Sequence, residues 1–290
     1  MPIKDSELIL NPDGSIYHLN LLPEDIADTI IFVGDQDRVE KISKHFDSIE
    51  VKKQKREFKT HTGTYKGKRL SVISTGIGPD NIDIVVNELD ALVNIDFKAR
   101  QVKPDLKQLN IVRVGTSGSL QSDIPVDSFV MSTHGLDFSG MLHFYDITNI
   151  VNPEIENAFI EHTQWSSNKS RPVVVSCSES LLKTFESVIN HRGITATAGG
   201  FYGPQGRILR MALQDNDLNH KIDSFQFNQY RITNLEMETA AIYGLSKLLG
   251  HHALSLNAII ANRANGTFSK DPKGAVERLI VEALNIIKEL

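Results

Sequence analysis

The chain has a single cysteine, Cys177, in 290 residues, which excludes an internal disulfide and any metal cluster built on several thiolates. It has no excess of positive charge. With 31 Lys and Arg against 36 Asp and Glu, its net charge is −5, so neither a nucleic acid nor an anionic membrane surface is an expected partner. No apolar run approaches the roughly 20 residues that span a bilayer, and no charged-then-apolar leader opens the chain. A soluble, cytoplasmic protein is expected. Low-complexity tracts, internal repeats and long Pro/Gly/Ser linkers are also missing, so one domain over residues 1–290 is the expected organisation. What the chain does have is an apolar share of 40%, enough to fill a globular core.

Thr29-Ile30-Ile31-Phe32-Val33 is a short β-rich run ended by Gly34, and Val39, Ile42 and Phe46 follow at helical spacing. Extended stretches at about Ile49–Tyr65 and Arg69–Thr75 join through Lys66-Gly67-Lys68, a hairpin turn. After Gly78-Pro79, apolar residues from Ile82 to Val93 recur every three or four positions, predicting a helix with one buried face. Ile111–Val114, Phe129–Met131, Val173–Val175 and Leu254–Ala261 read as strands. Leu181–Ile189, Glu236–Leu249 and the segment from Lys273 read as helices. Such alternation predicts an α/β sandwich with a mixed or mostly parallel sheet and ligand sites at the carboxyl ends of its strands. Lys98–Gln108 and Asn216–Asn228 are polar and fit neither period, which predicts surface excursions.

Several turns carry candidate ligand contacts, each with a plainer alternative. Ser74-Thr75-Gly76-Ile77-Gly78-Pro79-Asp80-Asn81 imitates a dinucleotide fingerprint, but Asn81 stands where the third glycine belongs. A glycine turn that aims a helix back at the sheet is the simpler reading. Gly34-Asp35-Gln36-Asp37-Arg38 lies between a strand and a helix, where backbone N–H groups and Arg38 can meet an anion; the alternative is Asp37 as helix cap with Arg38 in solvent. Arg113 interrupts the apolar Ile111-Val112-Arg113-Val114 just before Gly115-Thr116-Ser117-Gly118. A guanidinium there needs a carboxylate or a bound anion, and the open N–H and hydroxyl donors that follow favour the anion. Phe201-Tyr202-Gly203-Pro204-Gln205-Gly206-Arg207 offers an aromatic plane, an amide and a guanidinium for a planar heterocycle, or is an ordinary loop with Arg207 in solvent. In Asn234-Leu235-Glu236-Met237-Glu238-Thr239-Ala240-Ala241, Thr233 and Glu236 have capping-box spacing. Glu238 is an acceptor suited to vicinal ribose hydroxyls, or part of a solvated helix face, and Met237 is an adaptable apolar surface.

Taken in order, from His18-Leu19-Asn20-Leu21 through Arg56-Glu57-Phe58 and these turns to Asn262-Arg263, the blocks resemble the nucleoside phosphorylase-I superfamily, most closely its uridine phosphorylase branch. The resemblance covers nearly the whole chain. It implies a three-layer αβα sandwich with a mixed central sheet and phosphorolysis of a pyrimidine nucleoside, uridine, to free base and ribose 1-phosphate. Gly34, Arg38, Arg113 and Thr116 match phosphate-binding positions, and Arg56 matches an arginine supplied across a subunit boundary. His18 matches a neighbour-subunit histidine near the ribose 5′-hydroxyl, Met237 and Glu238 match ribose contacts, and Phe201, Gln205 and Arg207 match the uracil pocket. Arg113, Arg207 and Glu238 are the expected catalytic residues. The resemblance implies no metal and no cofactor, inorganic phosphate being a co-substrate, and a homo-oligomer with shared sites: a hexamer, with a dimer as the minimum.

Departures from the pattern are Gln36 for a proline, Pro79-Asp80-Asn81 in the second turn, an insertion at Lys98–Gln108, and Gly203-Pro204 in inverted order. Purine-cleaving relatives resemble one another in an aspartate after the late strand, where Asn262 stands here and cannot deliver a proton. A purine phosphorylase or nucleosidase on the same scaffold, and a non-catalytic nucleoside-binding protein, are the alternative expectations.

Overall fold

Thr29–Val33 (β1) is buried at every position, as a strand covered on both faces must be. Gly34 then releases the chain into α1 (Gln36–Ser43), where Asp35, rather than Asp37, caps the helix by accepting the Asp37 N–H. The computed structural model describes residues 2–186 and 189–290. In it the stretch read as one extended run divides into β2 (Ser48–Lys55) and β3 (Phe58–Tyr65), turning at Arg56-Glu57. Lys66 (φ 48°) and Gly67 (φ 83°) turn β3 into β4 (Lys68–Ser74); positive φ at both central residues matches the twist of the paired strands. Gly76 (φ 73°) and Gly78 (φ 100°) lead into α2 (Pro79–Asn94), which buries its predicted apolar face.

The insertion is an exposed excursion around a small hairpin, β5 (Ile95–Asp96) with β6 (Gln101–Val102). The chain continues through β7 (Asn110–Ser119), β8 (Phe129–Asp137), α3 (Pro153–Thr163), β9 (Val173–Ser176), α4 (Glu179–Phe185) and β10 (His191–Thr197). It ends with α5 (Leu218–Asp223), β11 (Gln226–Phe227), β12 (Tyr230–Glu236), α6 (Thr239–Leu248), β13 (His252–Asn262), β14 (Thr267–Phe268) and α7 (Pro272–Ile287). The helix expected over Leu181–Ile189 ends at Phe185; Ser187 and Val188 lie outside the described residues.

The main sheet runs β11-β12-β10-β8-β13-β7-β1-β4-β3-β2 and is mixed, with β1 parallel to β4 and β7 while β3 is antiparallel to β4. It is the middle layer of an α/β/α sandwich: α6 packs on β8, β10 and β13, α7 on β7 and β13, and α1 on β3 and β4. β12 also pairs with β7, Asn234 opposite Ser119 and Leu235 opposite Gly118. Five strands therefore close on themselves, which carries the residues after β12 to the arginine of β7.

Two expectations are corrected. Asn216–Asn228 is not an irregular polar loop: Leu218, Ile222 and Phe225 are buried and α5 packs on α3 and β12. Its polar residues occupy the outer face, and a single turn and a half is too short for periodicity to reveal. The helix expected from Glu236 begins at Thr239. Thr233 lies in β12 and donates to the Ile194 carbonyl, so no capping box forms there; the Glu236 carboxylate instead accepts the N–H groups of Glu238 and Thr239 at the strand–helix junction.

His134, on β8, meets Tyr230 edge-to-face with centroids 5.0 Å apart, and burial, with Lys247 adding to it, pushes its pKa down to about 4. Below pH 6.5 the unfolded chain binds a proton that the folded chain refuses, so stability is lost as pH falls from 6.5 to 4. The loss is expected to reach about 3 kcal/mol. Chemical denaturation of the wild type and His134→Gln at pH 7, 5 and 4 checks this; parallel pH dependence in both would refute it.

Candidate active site

The carboxyl ends of β1, β4, β7, β12 and β13 surround a cavity of about 870 Å³. One end is cationic. Arg38 Nη1 donates to the Val114 carbonyl across 3.3 Å, so Arg38 is half-buried rather than solvated, and burial, with Arg113 as a second cause, lowers its pKa. Gly34 and Thr116 line the same wall.

Arg113 is buried among partners. Its Nη1 donates to Asn257 Oδ1 at 2.7 Å, and its Nη2 donates to Glu238 Oε2 at 2.6 Å and lies 3.1 Å from Glu236 Oε2. Burial alone would lower the Arg113 pKa, but the two carboxylates outweigh it and raise it. The carboxylate partner, one of the two alternatives in sequence, is present, and Arg113 also lines the cavity. A Cβ on residue 115 would collide with the Arg113 guanidinium, so glycine there lets the side chain fold back over its own strand.

Glu238 is buried too, not on a solvated face. Its Oε1 accepts the Gly78 N–H at 2.9 Å, which ties the second glycine turn to Arg113. Burial raises its pKa, against the pull of Arg113. Met237 lines the cavity beside it.

Another part of the lining is built by the 201–207 turn. Arg207 stacks its guanidinium 3.8 Å from the centre of the Phe201 ring and donates to the Phe201 carbonyl at 2.6 Å and to Gln205 Oε1. Gln205 is buried, while Phe201 stays half exposed at the rim. Arg263 closes the last sequence block, where no spacing or motif gives it a role of its own. Its Nη1 donates to the Gln205 carbonyl at 2.7 Å and so braces the turn from behind. Burial, with Arg207 close by, lowers its pKa to about 10. Asn262 is absent from the cavity lining: its amide donates to the carbonyls of Gln121 (2.8 Å) and Ile124 (2.7 Å), holding a loop.

Two expected residues lie outside this cavity. His18 Nδ1 is 2.6 Å from Glu88 Oε1, and that carboxylate also accepts the N–H groups of His18 and Leu19. Arg56 is exposed in left-handed geometry (φ 55°) at the β2–β3 turn, although its neighbour Glu57 lines the cavity. The His18 ring meets Phe58, the first residue of β3, edge-to-face.

This is an α/β fold whose strand ends gather a guanidinium cluster and an amide–guanidinium pair around one cavity. The chain belongs to the phosphorylase superfamily, whose family model matches residues 28–290. It is 31% identical over 277 residues to the uridine phosphorylase of Thermococcus kodakarensis, covering 96% of this chain and 88% of that one. It is also 27% identical over 270 residues to a DeoD-type purine nucleoside phosphorylase of Listeria welshimeri, covering 92% and 97%. A crystal structure of a Trypanosoma brucei nucleoside phosphorylase, described as showing uridine phosphorylase activity, is similar with a TM-score of 0.89 at 28% identity, covering 98% of this chain and 100% of that one.

Proposed function

We propose that this protein is a pentosyltransferase that cleaves uridine with inorganic phosphate, releasing uracil and ribose 1-phosphate. The observation that carries the reading is the pairing of Arg113 with Glu238 in one cavity with Arg38, Thr116 and the Gln205–Arg207 turn. Gly34, Arg38, Arg113 and Thr116 hold the phosphate, Glu238 and Met237 hold the ribose, and Phe201, Gln205 and Arg207 hold the base.

No side-chain nucleophile is needed. The guanidiniums bring a phosphate oxygen to C1′, and the phosphate charge faces the cation that develops on the sugar as the C1′–N1 bond breaks, catalysis by orientation and electrostatics. The electron pair of that bond leaves with the base, where Gln205 and Arg207 stabilise the negative charge on its carbonyl oxygens more strongly than in the ground state. Asn262, held by two backbone carbonyls, supplies no acid for a purine ring, which supports pyrimidine over purine.

The chain acts as one phosphorylase domain in a homo-oligomer, a hexamer with a dimer as the minimum. The position of His18 and Arg56 outside their own chain's cavity supports this, because a neighbour can then receive them, His18 at the ribose 5′-hydroxyl and Arg56 at the phosphate. Incubating the purified protein with uridine, with and without phosphate, and following free uracil tests the reading. Phosphate-dependent release is expected. Phosphate-independent release would make it a hydrolase, and tight binding with no release a nucleoside-binding protein. Faster cleavage of inosine than of uridine would overturn the base assignment.

A further inference from the structure

A second cavity, of about 610 Å³, opens beside the first, and Asp35, Arg38, Thr116 and Ile260 line both. The Arg38–Thr116 wall therefore has open space on two sides. Its outer part is lined by Lys41, Lys44 and Lys273. Arg38, Lys41 and Lys44 follow one another at three-residue spacing, which sets them in one row along α1, about 9 Å from first to last at 1.5 Å per residue. Lys273, from the first turn of α7, adds a fourth cation.

The same groove is lined by two carboxylates, Asp35 and Glu277, against those four cations. Glu277 pairs with Lys44 at 2.7 Å and with His45 at 3.1 Å, and Asp35 Oδ1 accepts the Asp37 N–H at 3.0 Å. Lys41 and Lys273 have no ion-pair partner among the described residues. A chain of net charge −5 thus keeps a positive row that starts in solvent and ends at the cationic wall. Field lines from such a row concentrate in a low-dielectric groove and raise the local concentration of a small anion.

We propose that this groove is a docking site and entry route for inorganic phosphate: the dianion binds first along Lys41 and Lys273 and passes to Arg38 and Thr116 without crossing the space that the nucleoside fills. The proposal rests on the phosphorolytic reading above. Its consequence is kinetic: phosphate reaches a protein that already holds nucleoside.

The test uses the full chain in its assembled form. In K41E/K273E, kcat/KM for phosphate is expected to fall about tenfold at ~20 mM ionic strength and less than about twofold at ~0.5 M, because salt screens the row. The nucleoside KM and kcat at saturating phosphate stay within about twofold. An unchanged phosphate kcat/KM at low salt, or an equal loss at both salt concentrations, overturns the docking site.

Lys273→Trp fills the groove without adding negative charge. Excess nucleoside is then expected to inhibit, and phosphate to relieve that inhibition, while the wild type shows neither effect; a variant free of such inhibition overturns the entry route. Calorimetric titration with inorganic phosphate alone separates the two levels of the argument. If uridine is not cleaved but the phosphate Kd at low salt rises in K41E/K273E, the substrate assignment fails and the groove stands. If uridine is cleaved and that Kd does not move, the groove fails alone.

Discussion

An Arg113→Met variant is expected to lose at least about a thousandfold in kcat/KM, since removal of even one preorganised donor from a transition-state site costs about 10²–10³. Arg113 supplies more than one donor. On the proposed reading it orients the phosphate and also holds Glu238, through the 2.6 Å pair, where ribose hydroxyls are received. The same substitution strands two buried carboxylates, Glu236 and Glu238, beside an apolar side chain, and breaking a buried pair from one side costs about 3–5 kcal/mol. Activity and stability should therefore fall together in Arg113→Met. Arg113→Lys separates them: it keeps the charge and should recover most of the stability, but an ammonium cannot span Asn257 and both carboxylates as the planar fork does. Steady-state kinetics at varied phosphate, with denaturation curves for both variants, provide the check. An Arg113→Lys enzyme with near-normal kcat/KM would remove the geometric role.

Arg207→Ala should show a different pattern: kcat down about a hundredfold, with the nucleoside KM within about threefold. An interaction made only as charge reaches the base lowers kcat and kcat/KM together, whereas lost ground-state binding raises KM alone. The 3.8 Å stacking on Phe201 gives the guanidinium a fixed plane, and its donation to Gln205 couples it to the amide at the same edge. A substrate with a more acidic base, such as 5-fluorouridine, carries part of the charge itself and should suffer a smaller loss. If the loss is equal for both substrates, or confined to KM, Arg207 does not stabilise the leaving group.

The layers were legible in the sequence because burial writes periodic patterns: β1 is apolar throughout and α2 repeats at three and four residues. Short elements escaped. α5 has too few turns for its Leu218 and Ile222 to announce a face, and α6 starts three residues later than expected because the Glu236 carboxylate, an acceptor at the end of β12, replaces the cap that spacing suggested. The local blocks of the candidate site could be read as anion loops and a base turn. Their mutual contacts could not, since Arg113 meets Glu238 across 125 positions of chain only because β12 pairs with β7. The role of Arg263 is illegible for a similar reason: what marks it is the carbonyl of Gln205, 58 positions away.

Glu238 reaches in two directions, to Arg113 through one oxygen and to the Gly78 N–H through the other. If ribose hydroxyls draw on that carboxylate and phosphate draws on that guanidinium, the two ligands share one contact and their binding equilibria are linked. Linkage is symmetric: the factor by which nucleoside changes phosphate affinity equals the factor by which phosphate changes nucleoside affinity. The 2.6 Å pair then sets a single coupling free energy for both substrates, and a Glu238→Gln substitution would change it from both sides at once.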